Sequence, residues 1–268
     1  MNKIKEILCP LCYSSQHVVE KTRNSFSLLH CKDCGLVFSD SINSDKDLYE
    51  NAYQHYGDYS KYIENIKNDK FHLTWANKKF FSYKNLKGTL LDVGCSTGGF
   101  LLTAKGKGWK VKGIEISPSA AKIAYELTKS EIIVGDIDSL DINQNFDTIT
   151  AWEVIEHLKE PGNFIKKCYQ LLNKDGIFAI SVPNWESKWM KKSNQDEHWP
   201  PFHLTFWNKN TLKNYLISVG FKDVIVKVKP FAWKEELGSK AFFVLPYSLL
   251  QSLVFNNKDI HIFAYGRK

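Results

Sequence analysis

The segment that most narrows the fold begins at Thr89. Thr89-Leu-Leu-Asp-Val93 is a short apolar run, Gly94-Cys-Ser-Thr-Gly-Gly99 follows at once, and Phe100-Leu-Leu-Thr-Ala104 starts a helix. Strand, glycine turn and helix together open a nucleotide-binding α/β unit, because glycines let backbone approach a ligand closely. A glycine loop alone is weak evidence, but three further strands follow, each ending in acid. Trp109–Ile114 ends at Glu115, Glu131–Gly135 ends at Asp136, and Asn145–Trp152 runs into Glu153-Val-Ile-Glu-His157. An acid about 20 residues beyond the turn can accept hydrogen bonds from both hydroxyls of a ribose. An acid beside an adenine can take its exocyclic amino group.

Gly176–Val182 reads as a fifth strand, Lys209–Gly220 as a helix closed by Gly220, and Phe221–Val228 and Asp259–Tyr265 as the last two strands. The pattern predicts an α/β, Rossmann-like sheet of seven strands with helices on both faces, over residues 86–268. Hydrophobic residues make up 43% of the chain and aromatic residues 14%, with eight Trp, so a sizeable core is available.

The strings DVGCSTGG (92–99), GIEISP (113–118), GDI (135–137) and AWEVIEHL (151–158) resemble those of class I S-adenosylmethionine (SAM)-dependent methyltransferases. The resemblance covers about residues 70–268. It implies that Asp92 and Gly94 line the methionine part of SAM, with Cys95 and Gly98 in the same turn. It further implies that Glu115 and Ile116 meet the ribose, that Asp136 and Ile137 meet the adenine, and that Trp152 flanks the methyl donor. The family's glycine pattern places Gly at position 96, where this chain has Ser96. The alternative is a dinucleotide domain, which wants G-x-G-x-x-G to cradle a pyrophosphate; the loop G-C-S-T-G-G does not supply it.

The N-terminus carries a second pattern. Cys9-Pro-Leu-Cys12 and Cys31-Lys-Asp-Cys34 are two C-x-x-C pairs with 18 residues between them. Each turn aims two sulfurs at one centre, and four thiolates complete a tetrahedral, closed, structural zinc site. The apolar positions from His17 to His30 suit a hairpin between the pairs, and His17 and His30 read as bystanders. Residues 1–40 are therefore expected to form a zinc ribbon, with free or redox thiols as the alternative. Residues 41–85 are expected to be a linker and a helical cover; within it Tyr49, Tyr53, Tyr56, Tyr59 and Tyr62 recur at helical spacing, and a second helix runs over 69–83.

Glu153, Glu156 and His157 stand at i, i+3 and i+4, so on a helix all three project to one side. Three uses compete. They cap a helix and hydrogen-bond in the core; His157 is a general base that takes a proton from a substrate hydroxyl; or the two carboxylates and the imidazole hold a divalent metal, Mg²⁺ or similar, that lowers a hydroxyl's pKa. The same E-x-x-E-H string occurs in ubiquinone-biosynthesis O-methyltransferases and in small-RNA 2′-O-methyltransferases, where it resembles a metal-binding set. In the RNA enzymes a later His joins, and His203 stands at a similar place here. His198 and His203 are the other base candidates. Trp185 to Trp207 is rich in aromatics and follows the fifth strand, where loops form the binding crevice, so its aromatics are expected in the acceptor pocket. The insert Pro230–Lys258 is read as a cap on that pocket or as a homodimer contact.

His203-Leu-Thr-Phe-Trp-Asn208 resembles small-molecule methyltransferases of sugar, polysaccharide and natural-product pathways, several of which carry an N-terminal zinc ribbon. The expected activity is O-methylation of a small molecule such as a sugar, a sugar nucleotide or a surface-polysaccharide or natural-product precursor. The rival is an RNA methyltransferase using the ribbon to bind RNA, since the net charge is +7. The lysines are spread rather than blocked, and the fourth strand ends in Ala-Trp-Glu-Val, which tells against nucleic acid. A non-catalytic SAM-binding protein is a third possibility. No signal-peptide pattern and no apolar run long enough to span a bilayer occur, so a cytoplasmic location is expected.

Overall fold

The computed structural model describes residues 7–23, 25–41, 79–82, 87–137, 139–187, 190–191, 198–228 and 261–268. The Tyr-rich helix, most of the 69–83 helix and the 230–258 insert lie outside them.

A ribbon comes first: β1 (His17–Arg23), β2 (Phe26–Cys31) and β3 (Val37–Ser39) form an antiparallel meander. The main sheet then begins with β4 (Thr89–Val93), helix α1 (Gly99–Gly106), β5 (Lys110–Glu115), helix α2 (Pro118–Thr128) and β6 (Glu131–Val134). It continues with β7 (Phe146–Trp152), a single 3₁₀ turn at Ile155–His157, helix α3 (Pro161–Leu171) and β8 (Leu172–Pro183). The two-residue β9 (Thr205–Phe206), helix α4 (Lys209–Val219), β10 (Lys222–Val228) and β11 (His261–Arg267) complete the chain.

The strands run in the order β10-β11-β8-β7-β4-β5-β6, parallel except for β11, which pairs antiparallel with both neighbours. The seven-stranded sheet matches the expectation from the sequence, with boundaries differing by a few residues. The chain leaves β4 toward β6 on one side and returns to β7 on the other, so the crevice between the carboxyl ends of β4 and β7 is the topological switch point.

Local chemistry explains the joints. Ser117 caps α2, its hydroxyl accepting from the Ala120 N–H at 3.2 Å, with Pro118 at the first helical position. Asn208 caps α4 in the same way through the Thr211 N–H at 2.8 Å, and Gly220 closes that helix in the left-handed conformation. The central strands are buried on both faces: Leu90, Leu91, Ile149, Ala151, Phe178 and Ile180 are sealed from solvent.

Among the described residues the ribbon has no separate core. Cys9, Leu11, Leu29, Cys31, Leu36 and Phe38 share one apolar cluster with Phe164, Ile165, Leu212 and Leu216 of the main domain. β3 also pairs with β9, so the ribbon's sheet takes its fourth strand from the segment that follows β8. Trp185, Met190, Trp199 and Phe206 pack against Leu28 and Val37. This departs from the expectation that the aromatics of 185–207 line an acceptor pocket: Trp185 and Trp199 are 5% and 4% exposed, and they cover the ribbon's inner face. The physical reason is that a three-stranded ribbon exposes one apolar side, and burying it is worth about 25 cal/mol per Å².

Candidate active site

The cofactor edge is built around Gly94. The N–H groups of Gly94 and Cys95 both donate to the Ile114 carbonyl, at 2.8 and 3.0 Å, tying the glycine turn to the end of β5. Gly94 has φ +70°, and a Cβ there would stand 2.6 Å from the Val154 methyl. The turn therefore presses on the segment that carries the E-V-I-E-H string. Gly98 has φ +85°, and a Cβ would stand 3.1 Å from the Ala124 backbone, so α1 starts in close contact with α2. Ser96 also lies in the left-handed region, at φ +50°. That explains the glycine usual at this position: a side chain there is strained.

Glu115 is 3% exposed, and its two carboxylate oxygens accept from the Ser96 N–H at 2.8 Å and the Ser117 N–H at 3.0 Å. It braces the glycine turn from below, a role its place at the end of β5 did not reveal. Ile116 follows it directly, ahead of the Ser117 cap. Asp92 is 1% exposed and accepts from the Thr150 hydroxyl at 2.6 Å. Burial pushes its carboxyl up to about 8, against the pull of Thr150. Cys95 is buried, its sulfur lying where a Cβ on Gly113 would come within 2.6 Å. Asp136 follows β6 half-buried, and Ile137 beside it is buried. Trp152, at the end of β7, packs against Phe80, Phe100 and Phe263, and its indole N–H is buried with no hydrogen-bond partner among the described residues.

The edge that would meet an acceptor follows Trp152 in the chain. Glu153, Glu156 and His157 do not project from one helix face. Glu153 has φ +55°, which turns the chain before any helix starts, and its carboxylate pairs with His261 at 3.3 Å. Only Ile155–His157 wind, as a 3₁₀ turn. The ligand atoms of Glu156, His157 and His203 come within 4.8 Å of one another, and the rings of His157 and His203 meet edge to face at 4.7 Å. His198 stands against His203 with ring centres 5.3 Å apart.

Polarity within this group is specific. His157 Nδ1 lies 2.8 Å from the Phe202 carbonyl, which can only accept, so Nδ1 carries the proton and Nε2 of the neutral ring carries a lone pair. That Nε2 stands 3.9 Å from Glu156 Oε1. Both Glu156 carboxylate oxygens and His203 Nδ1 are buried without hydrogen-bond partners among the described residues. Burial pushes the Glu156 carboxyl well up and holds His157 and His203 below the usual imidazole range, so both imidazoles are neutral at pH 7. A buried carboxylate with no partner is costly, and a proton or a cation relieves it.

In the ribbon the four cysteine sulfurs lie within 4.8 Å of one another; Cys9–Cys34 and Cys12–Cys31 are each 3.5 Å apart. Four thiolates about 2.3 Å from one Zn²⁺ stand about 3.8 Å apart, so the cluster fits a zinc ribbon. His17 and His30 take no part: His17 Nε2 lies 3.0 Å from the Ile7 carbonyl, and His30 pairs with Glu20 at 3.5 Å.

Residues 62–226 match the family model described as Methyltransferase domain. A ubiquinone biosynthesis O-methyltransferase of Bradyrhizobium diazoefficiens is 29% identical over 168 residues, covering 56% of this chain and 66% of that protein. A 2-methyl-6-phytyl-1,4-hydroquinone methyltransferase of Synechocystis is 31% identical over 134 residues, covering 48% of this chain and 39% of that one. The chain thus spans less than two thirds of these curated relatives. Among solved structures, a SAM-dependent methyltransferase from Archaeoglobus fulgidus superposes with a TM-score of 0.58 at 20% identity, over 79% of this chain and all of that one. No helix among the described residues is long and apolar enough to cross a membrane. The chain belongs to the methyltransferase-domain family, and its sheet is that of the class I SAM-dependent methyltransferases.

Proposed function

We propose that the protein is a SAM-dependent O-methyltransferase acting on a hydroxyl of a small molecule, with His157 and His203 as its proton acceptors. One observation carries the reading: two neutral imidazoles and a buried carboxylate converge at the turn that follows β7, on the carboxyl edge where this fold binds ligand. Methyl transfer from a sulfonium is an in-line displacement. The attacking oxygen must sit about 3 Å from the methyl carbon and lose its proton.

The residues fit SAM. The buried Asp92 carboxyl, pushed up to about 8, would give up its proton beside a cationic methionine end, and the buried Trp152 N–H, without a hydrogen-bond partner among the described residues, offers a donor. Asp136 and Ile137 stand at the end of β6, where an adenine would lie. Bound there, SAM supplies the electrophilic methyl. The chain's own part is to orient the acceptor and take its proton on an unprotonated imidazole nitrogen; His157 Nε2, fixed by the Phe202 contact, is oriented for this.

The metal question narrows. Glu156, His157 and His203 offer one oxygen and two nitrogens. Mg²⁺ prefers all-oxygen octahedra, whereas imidazole suits first-row transition ions such as Mn²⁺ or Zn²⁺. If this cluster takes an ion, its donor set favours the latter over Mg²⁺. In the ribbon, Cys9, Cys12, Cys31 and Cys34 are proposed to hold one structural Zn²⁺.

Two acceptor classes are in play. A sugar or sugar nucleotide follows from the resemblance around His203. A phenolic or quinol hydroxyl follows from the names of the curated relatives. Incubation with labelled SAM and a panel of phenols, quinols, sugars, nucleotide sugars and short RNAs tests both. Label on a small-molecule oxygen supports the reading, whereas label on nitrogen, carbon or RNA overturns it.

A further inference from the structure

We infer that the cysteine ribbon is a positioning element of the acceptor site: it holds residues 202–211 in the register that brings His203 and the Phe202 carbonyl to Glu156 and His157. The use of that site rests on the O-methyltransferase reading above; the positioning rests on geometry alone.

The segment is held on two sides. On the ribbon side, Val37 pairs with Phe206 and Phe38 with Thr205, and the Ser39 N–H donates to the Leu204 carbonyl at 2.9 Å. On the site side, the Leu204 N–H donates to the Glu156 carbonyl at 2.8 Å, the Thr205 hydroxyl donates to the Ile155 carbonyl at 3.0 Å, and the Phe202 carbonyl accepts from His157 at 2.8 Å. Four consecutive residues, Phe202 to Thr205, thus carry a site residue (His203) and bond the 3₁₀ turn that bears the other two. β9 itself has two residues, too few to hold a register alone.

The downstream end is fixed as well. Thr211, in the first turn of α4, donates its hydroxyl to the Cys34 carbonyl at 3.1 Å, and Asn208 Nδ2 donates to the Gly35 carbonyl at 3.4 Å. The second cysteine turn is thereby bolted to the helix that follows β9, and Leu28 and Val37 fill the space behind it against Trp185, Met190, Trp199 and Phe206. Bonds to Trp199 and the Trp185–Trp207 pairing hold the segment internally, while the ribbon and the 3₁₀ turn fix it on its two sides. Among the described residues the cofactor edge shows no bond to the ribbon: Gly94, Cys95 and Ser96 are held by Ile114 and Glu115.

The test uses the full chain and two substitutions outside the reacting groups. Ser39→Pro deletes the donor to Leu204, and Thr211→Val deletes the bond to Cys34 while keeping the side-chain shape. The readouts are the ¹⁵N shifts of His157, which report the proton on Nδ1, the hydrogen exchange of the Leu204 amide, and affinity for S-adenosylhomocysteine. Ser39→Pro should abolish the Nδ1–H state of His157 and expose the Leu204 amide, while affinity for the nucleoside changes less than twofold. Thr211→Val should move both signals in the same direction by a smaller amount. A folded Ser39→Pro protein with unchanged His157 shifts overturns the inference. If Ser39→Pro does not fold, unchanged His157 and Leu204 signals in Thr211→Val overturn it instead. Altered His157 shifts with unaltered turnover on the acceptor panel would uphold the positioning and overturn the base assignment alone.

Discussion

The two edges of the site are built by opposite means. On the cofactor edge, the bonds that fix the glycine turn to β5 join residues about 20 or fewer positions apart: Glu115 to Ser96 and Ser117, and the Gly94 turn to Ile114. On the acceptor edge they are distant. Glu156 and His157 meet His203 across more than forty residues, and the strand that follows His203 is paired with the ribbon, more than 160 residues away. The first edge is one β-α-β unit whose own turn chemistry fixes it. The second is a tertiary assembly that exists only when the ribbon, the turn after β7 and the turn after β8 are all in place. A nucleoside site of this kind can thus be assembled locally, whereas the proposed acceptor site gathers its parts from the whole chain.

The strongest way to break this contrast is at the imidazoles. His157→Ala and His203→Ala should each lower methyl transfer roughly 100-fold or more, the usual scale of a lost general base. Affinity for SAM, measured by calorimetry, should stay within a few-fold. Equal losses in both would mean that the edges are not separate.

Next comes the ribbon. Cys31→Ser, or chelation of the zinc proposed for it, should cost several kcal/mol of stability, since metal binding to such a module is folding free energy. Hydrogen exchange should rise first in β2, β3 and β9, with β4 and β5 protected. Loss of protection at β4 as early as at β3 would show one undivided unit.

Backbone room sharpens the cofactor side. A Cβ on Gly113 would meet Cys95 Sγ at 2.6 Å, Ile132 at 2.8 Å and Leu101 at 2.9 Å. Gly113→Ala should therefore cost about 1–3 kcal/mol by overpacking and weaken SAM binding through the displaced turn, read by thermal shift and calorimetry.

The pH responses of the Asp92 carboxyl and of the two imidazoles differ in sign. The raised carboxyl of Asp92 binds its proton more tightly in the folded than in the unfolded chain. Ligand-free stability should then fall as pH rises from about 4 toward about 8, and Asp92→Asn should flatten that slope. The lowered imidazoles of His157 and His203 act oppositely: their contribution is complete above the ordinary histidine value of about 6.5 and is lost as pH falls through their folded values. The acid limb of turnover should accordingly lie below pH ~6.5. Denaturant titrations at several pH values separate the two.

The smallest effect is at Ser96, in the left-handed region at φ +50°. Ser96→Gly should relieve strain and stabilise the fold by up to about 1 kcal/mol, after the entropy that glycine adds to the unfolded chain.

The same contrast explains what could be read from the sequence. The seven strands and the glycine turn were legible because periodicity and turn residues are local signals; Gly220 marks a helix end directly. The acids Glu115 and Asp136 were legible as positions, but the bracing of Ser96 by Glu115 was not, since a carboxylate's partner leaves no trace in spacing. Grouping Glu153 with Glu156 assumed a helix. The left-handed backbone at Glu153, a conformation rare outside glycine, carried no signal and sent that carboxylate to His261. The aromatics of 185–207 looked like a pocket because aromatic content does not say what it covers. Their true neighbours, Leu28 and Val37, lie far upstream, and only the β3–β9 pairing brings them together.

A crystal structure with S-adenosylhomocysteine tests the central claim most directly. The account predicts the nucleoside along the carboxyl ends of β4, β5 and β6, with its sulfur beside Trp152 and directed at His157 and His203. A ligand bound elsewhere, or one whose sulfur turns away from that pair, would contradict it.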